Sequence, residues 1–285
     1  FGPYGFRPQT FMPCYGMAES VLFVSGLKSL SEPPKVLTLS ATDLETDTVR
    51  VLADNEPGGR SIVSCASPGS GHRVIAVDPV TLTQCNPNQV GELWVQGPSV
   101  PSGYWGLPEE SAATFEGRLA DTNEGPFLRT GDLGFVVDGE VYLTGRLKDL
   151  IIIAGRNHYP SDIELTVQRS GAPVRMGACV AISESVNGAE ELVIIAEVDE
   201  RRLPADAQSE GSESKSLDAF WASAAKTVQG AVAKGHGLSV RSVVFVEPRS
   251  LEKTSSGKPR RRHYQRLFLK GDLSVLHENR WTQTV

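Results

Sequence analysis

The chain has little of what builds metal clusters or covalent cross-links. Only 4 of its 285 residues are cysteine. Cys14, Cys65, Cys85 and Cys179 stand far apart, with no C-x-x-C spacing. That scatter excludes the common zinc arrangements and a disulfide framework, and it fits reduced thiols in a cytoplasmic protein. No apolar run reaches the roughly 18 residues that a membrane-spanning helix needs. The loop Lys253-Thr254-Ser255-Ser256-Gly257-Lys258 has no G-x-x-x-x-G before it, so it is not a phosphate-cradling P-loop. An initiating methionine is also missing. Residue 1 is Phe, inside the glycine- and proline-rich stretch FGPYGFRPQTFMPCYG. The sequence is therefore expected to be cut from something longer, and a targeting segment upstream stays open.

What is present is unevenly charged. Residues 1–147 carry 9 Lys and Arg against 17 Asp and Glu, whereas residues 148–285 carry 19 against 17. Within the second half, residues 249–270 hold eight basic side chains and one acid. This asymmetry predicts two domains with a boundary near Lys148.

The most informative stretch, residues 127–160, reads FLRTGDLGFVVDGEVYLTGRLKDLIIIAGRNHYP. Arg129-Thr130-Gly131-Asp132 predicts an acid on a tight glycine turn. Asp138-Gly139 lies between two apolar runs and predicts a hairpin. Gly145-Arg146-Leu147-Lys148-Asp149 leads into an apolar run that reads as strand. Upstream, Tyr15-Gly16-Met17-Ala18-Glu19 follows a short apolar segment. That pattern suits a ligand at the carboxyl end of a strand, or simply a turn entering a helix. Residues 28–60 read as irregular, with a short strand at 36–39 and a turn cluster at 54–59. Strands are predicted at 61–65 and 74–77. Gly91-Glu92-Leu93-Trp94-Val95-Gln96-Gly97 alternates, with Leu93 and Val95 on one face and Glu92, Trp94 and Gln96 on the other. Gly103-Tyr104-Trp105 reads as an aromatic plug, and a short helix is predicted from Pro108 toward Phe115. Further on, Ser161-Asp162-Ile163-Glu164 reads as a capping box opening a helix to about Arg169. Strands are predicted at 179–182, 192–198 and 243–246, and a polar loop at 201–216. Leu217, Phe220, Trp221, Ala224, Ala225, Val228, Ala231 and Val232 recur at helical spacing, with Gly235 as the stop.

In this order the motifs resemble those of the adenylate-forming superfamily of acyl-CoA synthetases, peptide-synthetase adenylation domains and luciferases. They are YGMAE, GEL followed by GYW, TGDL, GR with a charged pair, GRN and KTSSGK. The spelling GRLKDLIIIAGRNHYPSDIE, and Ala18 where the superfamily carries threonine, look most like the fatty acyl-AMP ligase branch. The resemblance covers nearly the whole chain and implies an α/β plus α+β fold. Residues 1–147 would be the C-terminal, β-rich part of the large AMP-binding domain, with a branch-specific insertion at 28–60. Residues 148–285 would be a small mobile α+β lid domain. The superfamily's Ser/Thr/Gly-rich phosphate loop and most of an acyl pocket are missing. The resemblance therefore implies the C-terminal part of a longer enzyme, inactive alone.

The resemblance also assigns roles. Tyr15 would pack on the adenine, Gly16, Met17 and Ala18 would line the nucleotide, and Glu19 would ligate Mg2+, which prefers one or two carboxylates plus phosphate oxygens. Asp132 would accept the ribose hydroxyls, although a turn acid can also cap local N–H groups. Leu143 would pack against the adenine, and Arg146 would reach ribose or phosphate. Lys148 falls at the hinge, Gly155 at the pantetheine tunnel, and Lys258 at the catalytic lysine, which also touches the nucleotide. Arg156 is left open as a phosphate contact, and His158 reads as structural. The implied activity is activation of a fatty acid by ATP to acyl-adenylate, then transfer to the phosphopantetheine arm of an acyl carrier protein, as in polyketide or lipopeptide biosynthesis. A long-chain acyl-CoA ligase is the alternative; Ala18 and the 28–60 segment weigh against it. A nucleic-acid-binding protein would rest only on the basic stretch at 249–270, and no nucleic-acid partner is expected.

Overall fold

In a computed structural model of the chain, residues 1–26, 32–53, 56–203, 215–254 and 257–281 are described. The chain divides into two compact units, Phe1–Lys148 and Asp149–Val285.

The first unit opens with a two-stranded ladder of β1 (Cys14–Tyr15) and β2 (Ser25–Gly26). Next, β3 (Val36–Ser40) and β4 (Gly59–Val63) pair antiparallel, with α1 (Ala41–Leu44) between them. Ser40 caps α1 by accepting the Asp43 N–H at 3.2 Å. Of the segment 28–60, expected to be irregular, residues 32–53 and 56–60 are thus a folded excursion, and residues 28–31 lie outside the described residues. It holds because Leu39, Leu44 and Ile62 bury their side chains. Residues 54–55 of the expected turn cluster lie outside the described residues.

The main sheet of this unit is antiparallel, in the order β5 (Arg73–Val77), β6 (Gly91–Gln96), β7 (Leu128–Val137), β8 (Glu140–Arg146). The alternation in β6 is as expected, but both faces are buried. Leu93 and Val95 pack with Val74, Ala76 and Leu128, while Trp94 packs with Ile75, Val77 and Phe127. Helix α2 (Pro108–Phe115) starts on proline, whose missing N–H costs nothing there. The expected aromatic plug is not one: Trp105 is fully exposed, and only Tyr104 packs, edge-on against Phe115 at 5.0 Å. The excursion is fastened to β8. Arg60 donates to the Thr144 carbonyl at 2.7 Å, and Lys35 pairs with Glu140 at 2.7 Å.

β7 and β8 meet at Asp138 (φ 53°) and Gly139 (φ 75°), the two left-handed residues of a tight hairpin turn. The tight turn expected at Arg129–Asp132 is instead a bulge inside β7. Trp94 opposes Arg129 and Glu92 opposes Leu133, so Leu93 alone faces Thr130, Gly131 and Asp132. Gly131 sits there at φ 69°, where a side chain would be strained. A second offset follows. Leu133 opposes Gly145 and Gly134 opposes Leu143, which leaves Thr144 as one extra residue on β8 and sets Arg146 opposite Asp132.

The second unit opens with a hairpin, β9 (Ile151–Ile153) and β10 (Arg156–His158), turning at Ala154 and Gly155. Helix α3 (Pro160–Arg169) follows, and it corrects the capping-box reading. The helix starts two residues earlier, with Pro160 in its first turn and Tyr159 as an N-cap whose side chain makes no capping hydrogen bond. Glu164 faces inward instead of reaching back, because Arg261 claims its carboxylate. The sheet runs β11 (Val174–Val186), β12 (Ala189–Val198), β13 (Val240–Val246), β14 (His277–Arg280). β12 and β13 are parallel and the outer pairs antiparallel. The parallel pair is joined through α4 (Lys215–His236). Gly235 does not stop α4. The left-handed residue that follows it is Gly237, at φ 66°. Of the expected loop at 201–216, residues 204–214 lie outside the described residues.

This sheet is covered on both faces, which explains its near-continuous apolar strands. Ile163 and Val167 of α3 and Trp221, Ala225, Val228 and Val232 of α4 pack on Cys179, Ile194 and Phe245. Tyr264, Leu267 and Phe268 of α5 (Arg261–Lys270) pack on Val180, Ile195 and Val244 on the other side. Among the described residues no helix is long and apolar enough to cross a membrane.

Candidate functional site

Asp132 is the centre of the first unit's polar cluster. The bulge lifts it out of the regular ladder, and its own N–H donates to Thr130 Oγ1 at 3.1 Å. Thr130 in turn donates to the Leu93 carbonyl at 2.6 Å, so the buried polar groups of the bulge are answered locally. Tyr15 OH donates to Asp132 Oδ2 at 2.8 Å, and Arg146 Nε donates to Oδ1 at 3.0 Å. The Tyr15 hydroxyl is pushed far above the ordinary tyrosine range, by burial first and by the Asp132 charge second. It is a neutral donor throughout the physiological range. The structure thus joins Tyr15, Asp132 and Arg146. Met17 lies beside them, its sulfur 4.0 Å from Tyr15 OH, and Leu143 is partly buried against the same apolar cluster.

The other residues of the YGMAE turn are nearby in sequence but do separate work. A Cβ on Gly16 would lie 1.5 Å from the Leu22 carbonyl oxygen, so the backbone itself requires glycine. Ala18 and Glu19 fall in a single 3-10 turn. Glu19 Oε1 accepts from Tyr104 OH at 2.9 Å, which is the function the GYW segment does carry. Among the described residues no group of three or more His, Cys, Asp or Glu side chains could hold a metal by itself. A lone half-buried carboxylate fits a magnesium ion whose remaining ligands are phosphate and water.

Lys148 sits in the short 3-10 turn Leu147–Asp149. In the second unit Gly155 is at φ 74° in its hairpin turn, with open space where a side chain would go. Lys258 is exposed. Thr254 N–H donates to the Lys258 carbonyl at 2.9 Å, and Lys258 N–H donates back to Thr254 Oγ1 at 3.1 Å.

Two networks were not anticipated from sequence. Glu92, buried on β6, accepts from Trp94, Arg129 and Gly131. Its signal was an acid with tryptophan two residues on, on the same face of the strand. In the second unit Arg261 makes two 2.7 Å bonds to Glu164 and one of 3.1 Å to Asp149. Burial raises the Glu164 carboxyl above its usual range, and the Arg261 charge opposes that shift. The thiols of Cys65 and Cys85 are each pushed up to about 11, by burial above all, so neither is a thiolate nucleophile near neutral pH.

The model of the Disco-interacting protein 2-like AMP domain matches residues 148–278. The medium-chain-fatty-acid–[acyl-carrier-protein] ligase JamA of Moorena producens is 44% identical over 96% of this chain and 44% of its own length. The long-chain-fatty-acid–AMP ligase FadD32 of Mycolicibacterium smegmatis is 34% identical over 96% of this chain and 46% of its own. A structure from work on the fatty acyl-adenylate ligases of E. coli and L. pneumophila is 27% identical, with a TM-score of 0.75 over 95% of this chain and 45% of that one. The chain is similar to members of the adenylate-forming, AMP-binding superfamily, and its fold is that of the C-terminal part of an adenylation domain. Within that superfamily its likeness is to the fatty acyl-AMP ligases. The chain spans just under half the length of these curated relatives.

Proposed function

We propose that the protein containing this chain activates a fatty acid with ATP to an acyl-adenylate and passes the acyl group to the phosphopantetheine thiol of an acyl carrier protein. The observation that carries this reading is the Tyr15–Asp132–Arg146 cluster. It holds one carboxylate fixed at both oxygens, in a chain similar to proteins named for that chemistry. Asp132 accepts the two ribose hydroxyls. Arg146, whose side chain is 62% exposed, reaches ribose or phosphate from the same point. Gly16, Met17, Ala18 and Leu143 line the nucleotide next to Tyr15. Glu19 supplies the protein ligand for Mg2+, whose charge would offset that of the departing pyrophosphate.

Lys258 is the catalytic residue of the first step. When a carboxylate approaches the α-phosphate, negative charge gathers on the phosphorus oxygens. An ammonium held between the two anions favours that arrangement over the separated reactants. The second unit is the mobile lid. It pivots at Lys148 between the two half-reactions, and Gly155 lines the path of the pantetheine arm in the second.

The test uses the natural full-length protein with ATP, Mg2+ and a fatty acid, with and without CoA or a phosphopantetheinylated carrier, and identifies products by mass. Acyl-adenylate that ignores CoA and loads the carrier supports the reading. Acyl-CoA would reassign the acceptor and keep the site. Lys258→Ala is expected to slow acyl-adenylate formation by about 10²–10³-fold while sparing transfer from preformed acyl-adenylate. Equal loss of both steps would remove the lysine from the chemistry.

A further inference from the structure

We infer that Glu92 is a positioning residue for the nucleotide: it holds the Gly131 amide and thereby fixes the bulge that aims Asp132. This rests on reading Asp132 as the ribose acceptor. Glu92 is only 3% exposed. A carboxylate so buried is costly unless its oxygens are answered. Oε2 is answered by Trp94 Nε1 at 2.8 Å and by Arg129 at 3.2 Å and 3.3 Å. Those donors would satisfy a purely structural acid. Oε1 is spent otherwise, on the Gly131 N–H at 3.0 Å.

Gly131 is the middle residue of the three that face Leu93, and it has no ladder partner there. Its two neighbours are held through the Thr130 hydroxyl, which donates to Leu93 O and accepts from Asp132 N–H. Glu92 is therefore the charged side chain that pins the bulge to β6 directly ahead of Asp132. Arg129, lying over the Trp94 ring at 5.4 Å, keeps the carboxylate from turning away. A charge-assisted bond to a backbone amide is stronger than a neutral one. Glutamine cannot reproduce the set, because its single oxygen serves either Gly131 or the Trp94–Arg129 side.

The test is a double-mutant cycle in the natural full-length protein, with AMP titrated calorimetrically. Glu92→Gln is expected to weaken AMP about tenfold and to raise KM for ATP while leaving kcat of adenylation nearly unchanged. In an Asp132→Ala background the same change is expected to weaken AMP less than about twofold, because the group it aims is gone. An equal effect in both backgrounds, or no effect in either, overturns the inference and leaves the ribose reading standing. Unchanged AMP affinity in Asp132→Ala alone overturns the ribose reading and this inference with it. If Glu92→Gln does not fold, Gly131→Ala probes the same joint. Its added Cβ meets no atom within 4 Å, so it acts only through the backbone at φ 69°, and it must show the same dependence on Asp132.

Discussion

Asp132 receives two hydrogen bonds and has room for two more. An ionised carboxylate offers about four lone-pair directions, and Tyr15 and Arg146 use one on each oxygen. The remaining pair, one per oxygen, is what a vicinal diol requires. Asp132→Ala should therefore weaken AMP and ATP together, by about 1.5–3 kcal/mol, the worth of hydrogen bonds to a charged group. Calorimetric titration of both nucleotides checks it. Tyr15 makes a different prediction. Its hydroxyl is harder to ionise in the folded state than in the unfolded chain, where it titrates near 10. The folded state then binds more protons than the unfolded one above that pH. The stability it contributes is complete below pH 10 and falls as pH rises further. Urea unfolding between pH 9 and 11 should show this decline, and Tyr15→Phe should flatten it. The residues themselves were only partly legible. Asp132 announces itself in Thr-Gly-Asp-Leu as an acid beside a conformationally free glycine. Its geometry did not, because a bulge depends on which strand lies alongside. Glu92 was missed because a buried acid and an exposed one look the same in an alternating strand.

At the level of elements, period and turn chemistry served where contacts are local. Asp138-Gly139 predicted its hairpin, and the apolar stripe of α4 lies against the sheet. The equivalent signal at Asn187-Gly188, which joins β11 to β12 at φ 52° and 81°, went unread. The capping-box pattern misled because it cannot report that a distant arginine binds its glutamate. That arginine now carries a prediction. Arg261 is the first residue of α5 and ties it to α3 through Glu164, and to Asp149. Arg261→Met would leave Glu164, 5% exposed, without its partner. The expected cost is about 3–5 kcal/mol, seen as a lowered Tm, and adding Glu164→Gln should restore a large part of it.

At the scale of the molecule, the charge asymmetry pointed to two bodies, and contacts divide the chain at Lys148 and Asp149. The family-model match starts at residue 148 as well. The folded character of the described part of residues 28–60 was not legible, because its strands are short and its burial rests on few side chains. We predict that replacing this excursion with a short linker in the full-length protein lets CoA serve as acceptor, read as acyl-CoA by mass. If only acyl-adenylate forms, the excursion is scaffolding for β8 and no more. The two offsets in the neighbouring ladder have their own consequence. β7 carries two surplus residues against β6, and β8 carries one against β7. An even surplus keeps the two faces of a strand in phase; an odd surplus reverses them. Were Thr144 drawn into the regular ladder opposite Leu133, Gly145 would stand opposite Asp132, and Arg146 would turn to the other face of the sheet. The bulge at Thr144 is thus what sets an arginine, and not a glycine, across from Asp132.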